Sequence, residues 1–176
     1  VYLLERLRPL FQERLIVTND PGLFAGRTGP GERVVPDHSA FHHPLVGLAS
    51  GLAHSTTLYN FVCACDMPLL DLGLVSALCE ASAGWDAVVP VWNGRPQPLA
   101  AVYSRGCLEA LSSAQAQGVS LMELLRRVRT RFLPEAVVAL YDPAGRSFED
   151  IDTWADYCRV RELSLACPMR LSCASW

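Results

Sequence analysis

Strand-like and helix-like segments alternate along almost the whole chain, and this alternation restricts the fold more than any other feature. Short apolar runs rich in β-branched residues are followed by stretches with helical periodicity. This order is typical of α/β proteins, in which helices cover both faces of a mostly parallel sheet. The strand-like segments are Arg14 to Thr18, Val34 to Val35, the run from Phe61 that ends at Asp66, Asp86 to Trp92, Pro98 to Tyr103 and Ala136 to Tyr141.

Local signals refine this pattern. Asn93-Gly94 is typical of a two-residue hairpin turn, so we expect one strand to run antiparallel to the rest. Pro90 predicts an edge, a bulge or a strand end, because proline cannot donate to the ladder. Ser120 to Glu123 has the capping-box pattern and predicts a helix to about Arg129, and Thr153 to Asp156 predicts a second capping box.

The run FVCACDMPLL, from Phe61 to Leu70, brings a single carboxylate to the end of an apolar strand. In open α/β sheets, ligands bind in the crevice beyond the carboxyl ends of the strands. Asp66 is therefore placed for a metal ion or a phosphorylated ligand. Aspartate also forms turns after strands, and this segment by itself leaves both interpretations open.

Composition limits the classes of function. The chain has 176 residues, of which 51% are hydrophobic and 19% charged, with a formal net charge of -3. We expect a single domain over 1–163, followed by a disordered tail over 164–176. There is no basic patch for a nucleic acid, no apolar run of membrane length and no signal-peptide core. We therefore expect a cytoplasmic protein without nucleic-acid or membrane partners.

Cysteine and lysine usage adds two constraints. The seven cysteines form no regular framework, which favours reduced thiols; we expect Cys63 and Cys65 to be buried, and Cys65, beside Asp66, to be an inert structural cysteine. All fifteen basic residues are arginine, so no lysine is present to hold a phosphate.

Two further pairs of residues have informative spacing. Asp150 and Asp152 lie two apart before a predicted helix, and in an extended segment both carboxylates would point to one side. Helix capping or binding of a metal or a hydroxyl group would each explain them. Gly47 and Gly51 share a helical face, which allows close approach either to the sheet or to a ligand.

Four motifs, in order, resemble those of the molybdenum cofactor guanylyltransferases of the MobA-like nucleotidyltransferase family. His43 to Leu48 resembles the family's GPLAG segment, and Cys63 to Leu70 resembles its CDMP-type metal strand. Gln97 to Tyr103 resembles its QPL-A-Y strand, and Phe148 to Thr153 resembles its F-x-N-I-N-T segment. The resemblance covers almost the whole chain.

The resemblance implies a three-layer α/β fold of the Rossmann-like nucleotide-diphospho-sugar transferase type, with its first βα unit missing. It implies transfer of GMP from GTP to molybdopterin, the pterin of the molybdenum cofactor, with Mg²⁺ and release of pyrophosphate. Asp66 would then be the catalytic residue that holds the metal ion and meets the nucleotide. The other implied nucleotide contacts are Thr18, Asn19, Asp37 and Gly47. The implied molybdopterin contacts are Gln97, Asp150 and Asp152. Molybdoenzymes or their chaperones are further candidate partners.

Three departures from the family pattern leave alternatives open. The family's N-terminal glycine-rich loop, with the lysine that follows it, is absent from residues 1–176, so this chain alone is a candidate for an inactive fragment. His43 replaces the first glycine of GPLAG. Asp150 and Asp152 replace asparagines, as in the D-I-D-T pattern of related cytidylyltransferases. A cytidylyltransferase of the same cofactor, or a non-catalytic remnant that binds the pterin or a partner protein, are therefore the alternatives.

Overall fold

The computed structural model describes residues 2–37, 44–151 and 153–166, and seven strands lie in these ranges in two sheets. Strands β1 (Arg14–Thr18) and β2 (Glu32–Pro36) form a parallel pair. The larger sheet has the order β3-β6-β4-β5, with β7 also pairing with β4. Its strands are β3 (Tyr59–Cys63), β4 (Ala87–Trp92), β5 (Arg95–Pro96), β6 (Ala100–Ser104) and β7 (Thr130–Leu133).

Helices cover both faces of the larger sheet, which confirms the predicted three-layer α/β fold. The described α-helices are α1 (Tyr2–Leu7), α2 (Pro44–His54), α3 (Leu72–Glu80), α4 (Leu108–Ala116), α5 (Leu121–Arg127), α6 (Glu135–Val138) and α7 (Trp154–Ala166). Alternate residues of β4 enter different cores, since Val89 packs among α2, α4 and α5, whereas Val88 packs among α3 and α6. This is the period-two alternation of a strand between two layers.

The main antiparallel strand of the sheet is β6, which pairs with β3 on one side and with β4 on the other, and the two-residue β5 also runs antiparallel to β4. All five residues of β6 are buried. The hairpin before it is confirmed, because Asn93 and Gly94 both have positive φ angles, of 50° and 69°. Strands β3, β4 and β7 consequently run in the same direction, and their carboxyl ends lie at one edge of the sheet.

The predicted strand from Ala136 to Tyr141 is wrong. Those residues form α6 and a turn, and the last strand is β7, which pairs parallel to β4. Pro134 has an extended backbone, and its carbonyl oxygen accepts from the N–H groups of Val137 and Val138, so a helix begins directly after it. Val138 is then fully buried beside α3, and this packing outweighs the strand preference of a β-branched run.

Pro90 does not mark an edge or a strand end. It lies inside the central strand β4, aligned with Leu133 of β7, and its carbonyl oxygen accepts from the N–H of Gln97. The ladder between β4 and β6 extends only to Val88, so no partner in that ladder needs the N–H that proline lacks.

Of the two predicted capping boxes, the second forms in full, whereas at the first only the serine cap forms and the Glu123 carboxylate pairs with Arg126 and Arg127. The Ser120 hydroxyl accepts from the N–H of Glu123, and Thr153 and Asp156 cap each other reciprocally. Of the predicted tail, residues 164–166 continue α7 and residues 167–176 lie outside the described part of the chain, so the boundary at 163 stays a prediction. None of the described helices is both long and apolar enough to cross a bilayer.

Candidate functional site

Asp66 lies in the turn that follows β3, as the sequence predicts. The backbone is held on two sides: the N–H of Ala64 donates to the carbonyl oxygen of Leu99 at 2.9 Å, and the carbonyl oxygen of Asp66 accepts from the N–H of Ile151 at 3.0 Å. Met67 and Leu70, which follow, are buried against Ala100 of β6. The backbone that carries the Asp66 carboxylate is therefore held at the carboxyl edge of the sheet.

The Oδ1 atom of Asp66 is buried and has no hydrogen-bond partner among the described residues. A buried carboxylate oxygen without a partner carries an uncompensated desolvation cost. A divalent cation would remove that cost, and Mg²⁺ typically takes one or two carboxylates together with water and substrate phosphates. In the described ranges no group of three His, Cys, Asp or Glu residues could hold a metal by itself. The residues present thus fit a Mg²⁺ ion that shares its ligands with a phosphorylated substrate.

The segment from Phe148 to Ile151 lies beside the Asp66 turn. Phe148 packs against Met67 and Leu70, and the Ile151 hydrogen bond holds the far end of the segment. Asp150, one residue before Ile151, is exposed next to this turn. Asp152 lies outside the described residues, so its predicted alignment with Asp150 stays a prediction.

Thr18, Asp37 and Gly47 are brought together at the carboxyl ends of β1 and β2. The N–H of Asp37 donates to the carbonyl oxygen of Thr18 at 2.9 Å. A Cβ added at Gly47 would lie 4.0 Å from Oδ2 of Asp37, so this face of α2 looks onto the acid. Asn19 is exposed directly after β1. His43 lies outside the described residues. Gly51 packs on Val17, which favours close helix packing there.

The two sheets begin side by side. Glu13, just before β1, accepts hydrogen bonds from the N–H and the hydroxyl of Thr56, just before β3. Phe11 stacks on Phe61 of β3, with ring centroids 6.0 Å apart. These contacts pack the segment that leads into β1 against β3 and against the segment that leads into β3.

Gln97 lies at the rim of a cavity of ≈ 520 Å³ beside the β4–β5 hairpin. Its N–H is bonded to Pro90, and its side-chain amide donates to the carbonyl oxygen of Arg95 at 3.4 Å. The cavity is lined by Trp92, Asn93, Arg95, Gln97, Ala144, Gly145, Phe148 and Glu149. Sequence reasoning singled out Gln97 but missed Trp92 and Glu149; an aromatic residue directly before the hairpin turn was the available signal.

The two cysteines near Asp66 differ from each other. Burial, with smaller contributions from Cys65 and Asp66, raises the pKa of the Cys63 thiol to about 12, which makes Cys63 a poor nucleophile. Cys65 is exposed, and the prediction that it is buried is therefore wrong. The turn after β3 points this side chain to solvent, whereas the strand itself keeps Cys63 inside.

A three-layer α/β fold with an unpaired acid at the carboxyl edge of its sheet defines the class as a nucleotide-binding α/β domain. Comparison with known proteins makes the class specific. The chain belongs to the MobA-like NTP transferase domain family, whose sequence model matches residues 1–132. The match ends before the segment that contacts Asp66 from the C-terminal side.

Curated proteins that are similar to this chain point to the same family. A probable molybdenum cofactor guanylyltransferase from Pelotomaculum thermopropionicum is 32% identical over 135 residues, which cover 76% of this chain and 66% of the relative. A molybdenum cofactor guanylyltransferase from Desulfosudis oleivorans is 29% identical over 151 residues, which cover 85% and 73%. A probable enzyme of the same name from Methanosarcina mazei is matched over 52% of its length. The chain thus spans about half to three quarters of these relatives.

Solved structures give the same fold. The molybdopterin-guanine dinucleotide biosynthesis protein A of Archaeoglobus fulgidus superposes with a TM-score of 0.78 at 25% identity, covering 94% of this chain and 84% of that one. The 2-C-methyl-D-erythritol 4-phosphate cytidylyltransferase of Thermus thermophilus superposes with a TM-score of 0.68 at 17% identity, covering 93% and 87%. The second likeness supports the nucleotidyltransferase fold alone.

Proposed function

We propose that this protein transfers GMP from GTP to the phosphate of molybdopterin carrying molybdenum, with release of pyrophosphate. The observation that carries the proposal is the buried, unpartnered Oδ1 of Asp66 at the carboxyl edge of the sheet. The guanylyltransferases among the relatives support the choice of nucleotide and acceptor. GTP and Mg²⁺ are thus the proposed ligands.

Each group of residues has a distinct task in this proposal. Asp66 holds Mg²⁺, which when bound would neutralise charge on the nucleotide phosphates. Thr18, Asn19, Asp37 and Gly47 hold the nucleotide at the ends of β1 and β2. Gln97, Asp150 and Asp152 hold the acceptor on the other side of Asp66.

The chemistry asks little of protein acids and bases. A phosphate oxygen of the acceptor forms a bond to the α-phosphorus of GTP, the bond from that phosphorus to the bridging oxygen breaks, and pyrophosphate leaves. The attacking phosphate is already an anion near neutral pH, so no side chain has to remove a proton. Catalysis then rests on positioning and on charge neutralisation, and a site with one fixed carboxylate can supply both.

The cytoplasm is the proposed compartment. Five described cysteines, Cys63, Cys65, Cys79, Cys107 and Cys158, are free thiols. Free thiols persist under reducing conditions, which supports an intracellular location.

A cytidylyltransferase of the same cofactor is the second candidate. The sequence carries Asp150 and Asp152 where the guanylyltransferase pattern has asparagines, and an aspartate only accepts hydrogen bonds where an asparagine also donates. The named relatives favour the guanylyl assignment.

Product analysis separates the candidates. The protein, as its gene encodes it, is incubated with molybdenum-loaded molybdopterin, MgCl₂ and either GTP or CTP, and dinucleotide products are separated chromatographically. The proposal predicts a guanine dinucleotide, with a yield at least about tenfold above that with CTP. Equal or greater yield with CTP would replace the guanylyl assignment. Binding of molybdopterin without any dinucleotide would favour the non-catalytic remnant.

A further inference from the structure

The cavity beside the β4–β5 hairpin has the size of a small-molecule site. Its volume of ≈ 520 Å³ falls in the usual range of about 300–1,000 Å³ for such sites. Its walls combine two aromatic rings, Trp92 and Phe148, with polar and charged side chains that can fix the orientation of a ligand. Several of its residues, from Ala144 to Glu149, lie beyond the part of the chain that the family model matches.

The Trp92 indole is held in one position on the cavity wall. Gly145 is buried with a left-handed backbone, φ 65°, and a Cβ at this position would overlap the indole. Phe148 also lies beside Trp92, with ring centroids 6.2 Å apart. The indole therefore rests directly on the backbone at Gly145, which fixes the ring where it lines the cavity and lowers the entropy cost of binding a planar ligand there.

Charged side chains of both signs line the cavity beside Trp92. Glu149 is half-buried; across the described chain its carboxylate makes one ion pair, 3.5 Å from Arg159, and accepts no hydrogen bond. Arg159 is closer to Asp156, at 3.1 Å, so Glu149 retains free lone pairs. The Arg95 guanidinium is exposed, with no ion pair or hydrogen bond to any described residue.

We propose that this cavity binds a 2-amino-4-oxopyrimidine ring, stacked on Trp92 with its amino and ring N–H groups donating to the carboxylate of Glu149. Adjacent N–H donors match the two oxygens of a carboxylate, and such charge-assisted pairs are strong and directional. Arg95 at the rim suits the anionic substituents of such a ring. Pterins and guanine both carry this edge, and the pterin of the acceptor is the source the geometry favours.

The position of Glu149 relative to Asp66 supports the pterin. The backbone of Ile151 is hydrogen-bonded to the backbone of Asp66. Glu149 precedes Ile151 by two residues, so the Cα atoms of Glu149 and Ile151 are at most about 7 Å apart. A ring held by Glu149 can therefore carry a phosphate to the Asp66 turn. The residues proposed for the nucleotide lie elsewhere, after β1 and β2. This inference rests on the proposed function, which makes a pterin phosphate the acceptor.

Ligand binding tests the inference without any transfer reaction. The fluorescence of pterin and of lumazine, which has an oxo group in place of the 2-amino group, is titrated with the protein, and GTP with Mg²⁺ is titrated in parallel by calorimetry. The variants are Glu149→Gln, which keeps shape and removes charge, and Trp92→Leu. Glu80→Gln is the matched control, because Glu80 is exposed on α3 away from the cavity.

We expect Glu149→Gln to weaken pterin binding about tenfold, with lumazine binding weaker at the outset and unaffected by the change. Trp92→Leu should weaken both ring systems, and Glu80→Gln neither. GTP affinity should stay within about twofold in all three variants. Pterin binding unchanged by Glu149→Gln would overturn the inference, and so would a loss confined to GTP, which would make the cavity a guanine site.

The two proposals fail separately. If Glu149→Gln leaves pterin binding unchanged while the protein still forms guanine dinucleotide, the cavity assignment is overturned and the transfer function stands. If pterin binds in a Glu149-dependent manner and no dinucleotide forms with either nucleotide, the cavity assignment is supported and the transfer function is overturned. Thermal unfolding of each variant verifies that the fold is retained.

Discussion

The backbone N–H of Ile151 donates a 3.0 Å hydrogen bond to the carbonyl oxygen of Asp66, although the two residues are 85 positions apart in the chain. This bond fastens the segment before α7 to the turn that presents the candidate metal ligand. It also brings the Glu149 side of the hairpin cavity close to Asp66. The candidate metal site at Asp66 and the cavity beside the β4–β5 hairpin are therefore neighbours in the fold.

Replacement of Gly145 by alanine should destabilise the protein by at least about 2 kcal/mol. The added Cβ would meet the Trp92 indole, and the positive φ angle is also unfavourable for alanine. Gly118→Ala is the matched control, because Gly118 has nearly the same φ, 64°, but open space around its Cβ position. Gly118→Ala should lower the free energy of unfolding by only about 1 kcal/mol. Urea unfolding measures both, and equal losses would contradict the steric contact.

The Glu32 carboxylate should make stability depend on acid pH. The N–H of Gly29, followed by the guanidinium of Arg14, holds the pKa of Glu32 below its ordinary value of 4.5. As the pH falls, the unfolded chain therefore takes up a proton at Glu32 before the folded chain does. The stabilisation of the folded state by ionised Glu32 is fully present above pH 4.5, and it is lost as the pH falls through the lowered pKa of the folded state.

Glu32→Gln should accordingly flatten the decline of the unfolding free energy below that pH. Glu80→Gln, which alters an acid without an ion pair in the described chain, should leave the curve unchanged. Urea titrations between about pH 3 and 7 measure the three curves. Superimposable curves for the wild type and Glu32→Gln would show that Glu32 contributes nothing to acid unfolding.

Cys65 should react with a maleimide much faster than Cys63. The pKa of the Cys63 thiol is about 12, compared with an ordinary value of 9.0. At pH 8 this difference lowers the fraction of Cys63 present as thiolate about a thousandfold. Cys65 is exposed beside Asp66, so GTP with Mg²⁺ should slow its labelling. Peptide mass spectrometry over time gives both rates. Comparable rates at the two cysteines would contradict the burial of Cys63.

Several parts of the fold follow from short-range chemistry and could be predicted. Asn93-Gly94 adopts the positive φ angles that its turn type requires, and Ser120 and Thr153 cap their helices as their spacing indicates. The location of Asp66 follows from an apolar strand that ends in an acid. In each case a few neighbouring residues determine the outcome.

Other parts depend on contacts between distant residues. The run after Pro134 has strand-like composition, yet the burial of Val138 beside α3 selects a helix. The cavity exists because Trp92 meets Gly145, 53 positions further along the chain. Pro90 is tolerated in a central strand because the β6 ladder ends at Val88. Local patterns do not encode such relationships, so the sequence could indicate Gln97 but not the pocket it borders.

The rate of guanine dinucleotide formation as a function of Mg²⁺ concentration, in the wild type and in Asp66→Asn, tests the central claim most directly. Asparagine keeps the shape of the side chain and removes the charge that would hold the ion, so the fold should persist with an unchanged circular dichroism spectrum. We predict a loss of at least about a hundredfold in Mg²⁺-dependent rate, with Cys65→Ser, at the exposed neighbouring residue, retaining the wild-type rate. A folded Asp66→Asn variant with the wild-type rate and Mg²⁺ dependence would contradict the assignment of Asp66 to the metal.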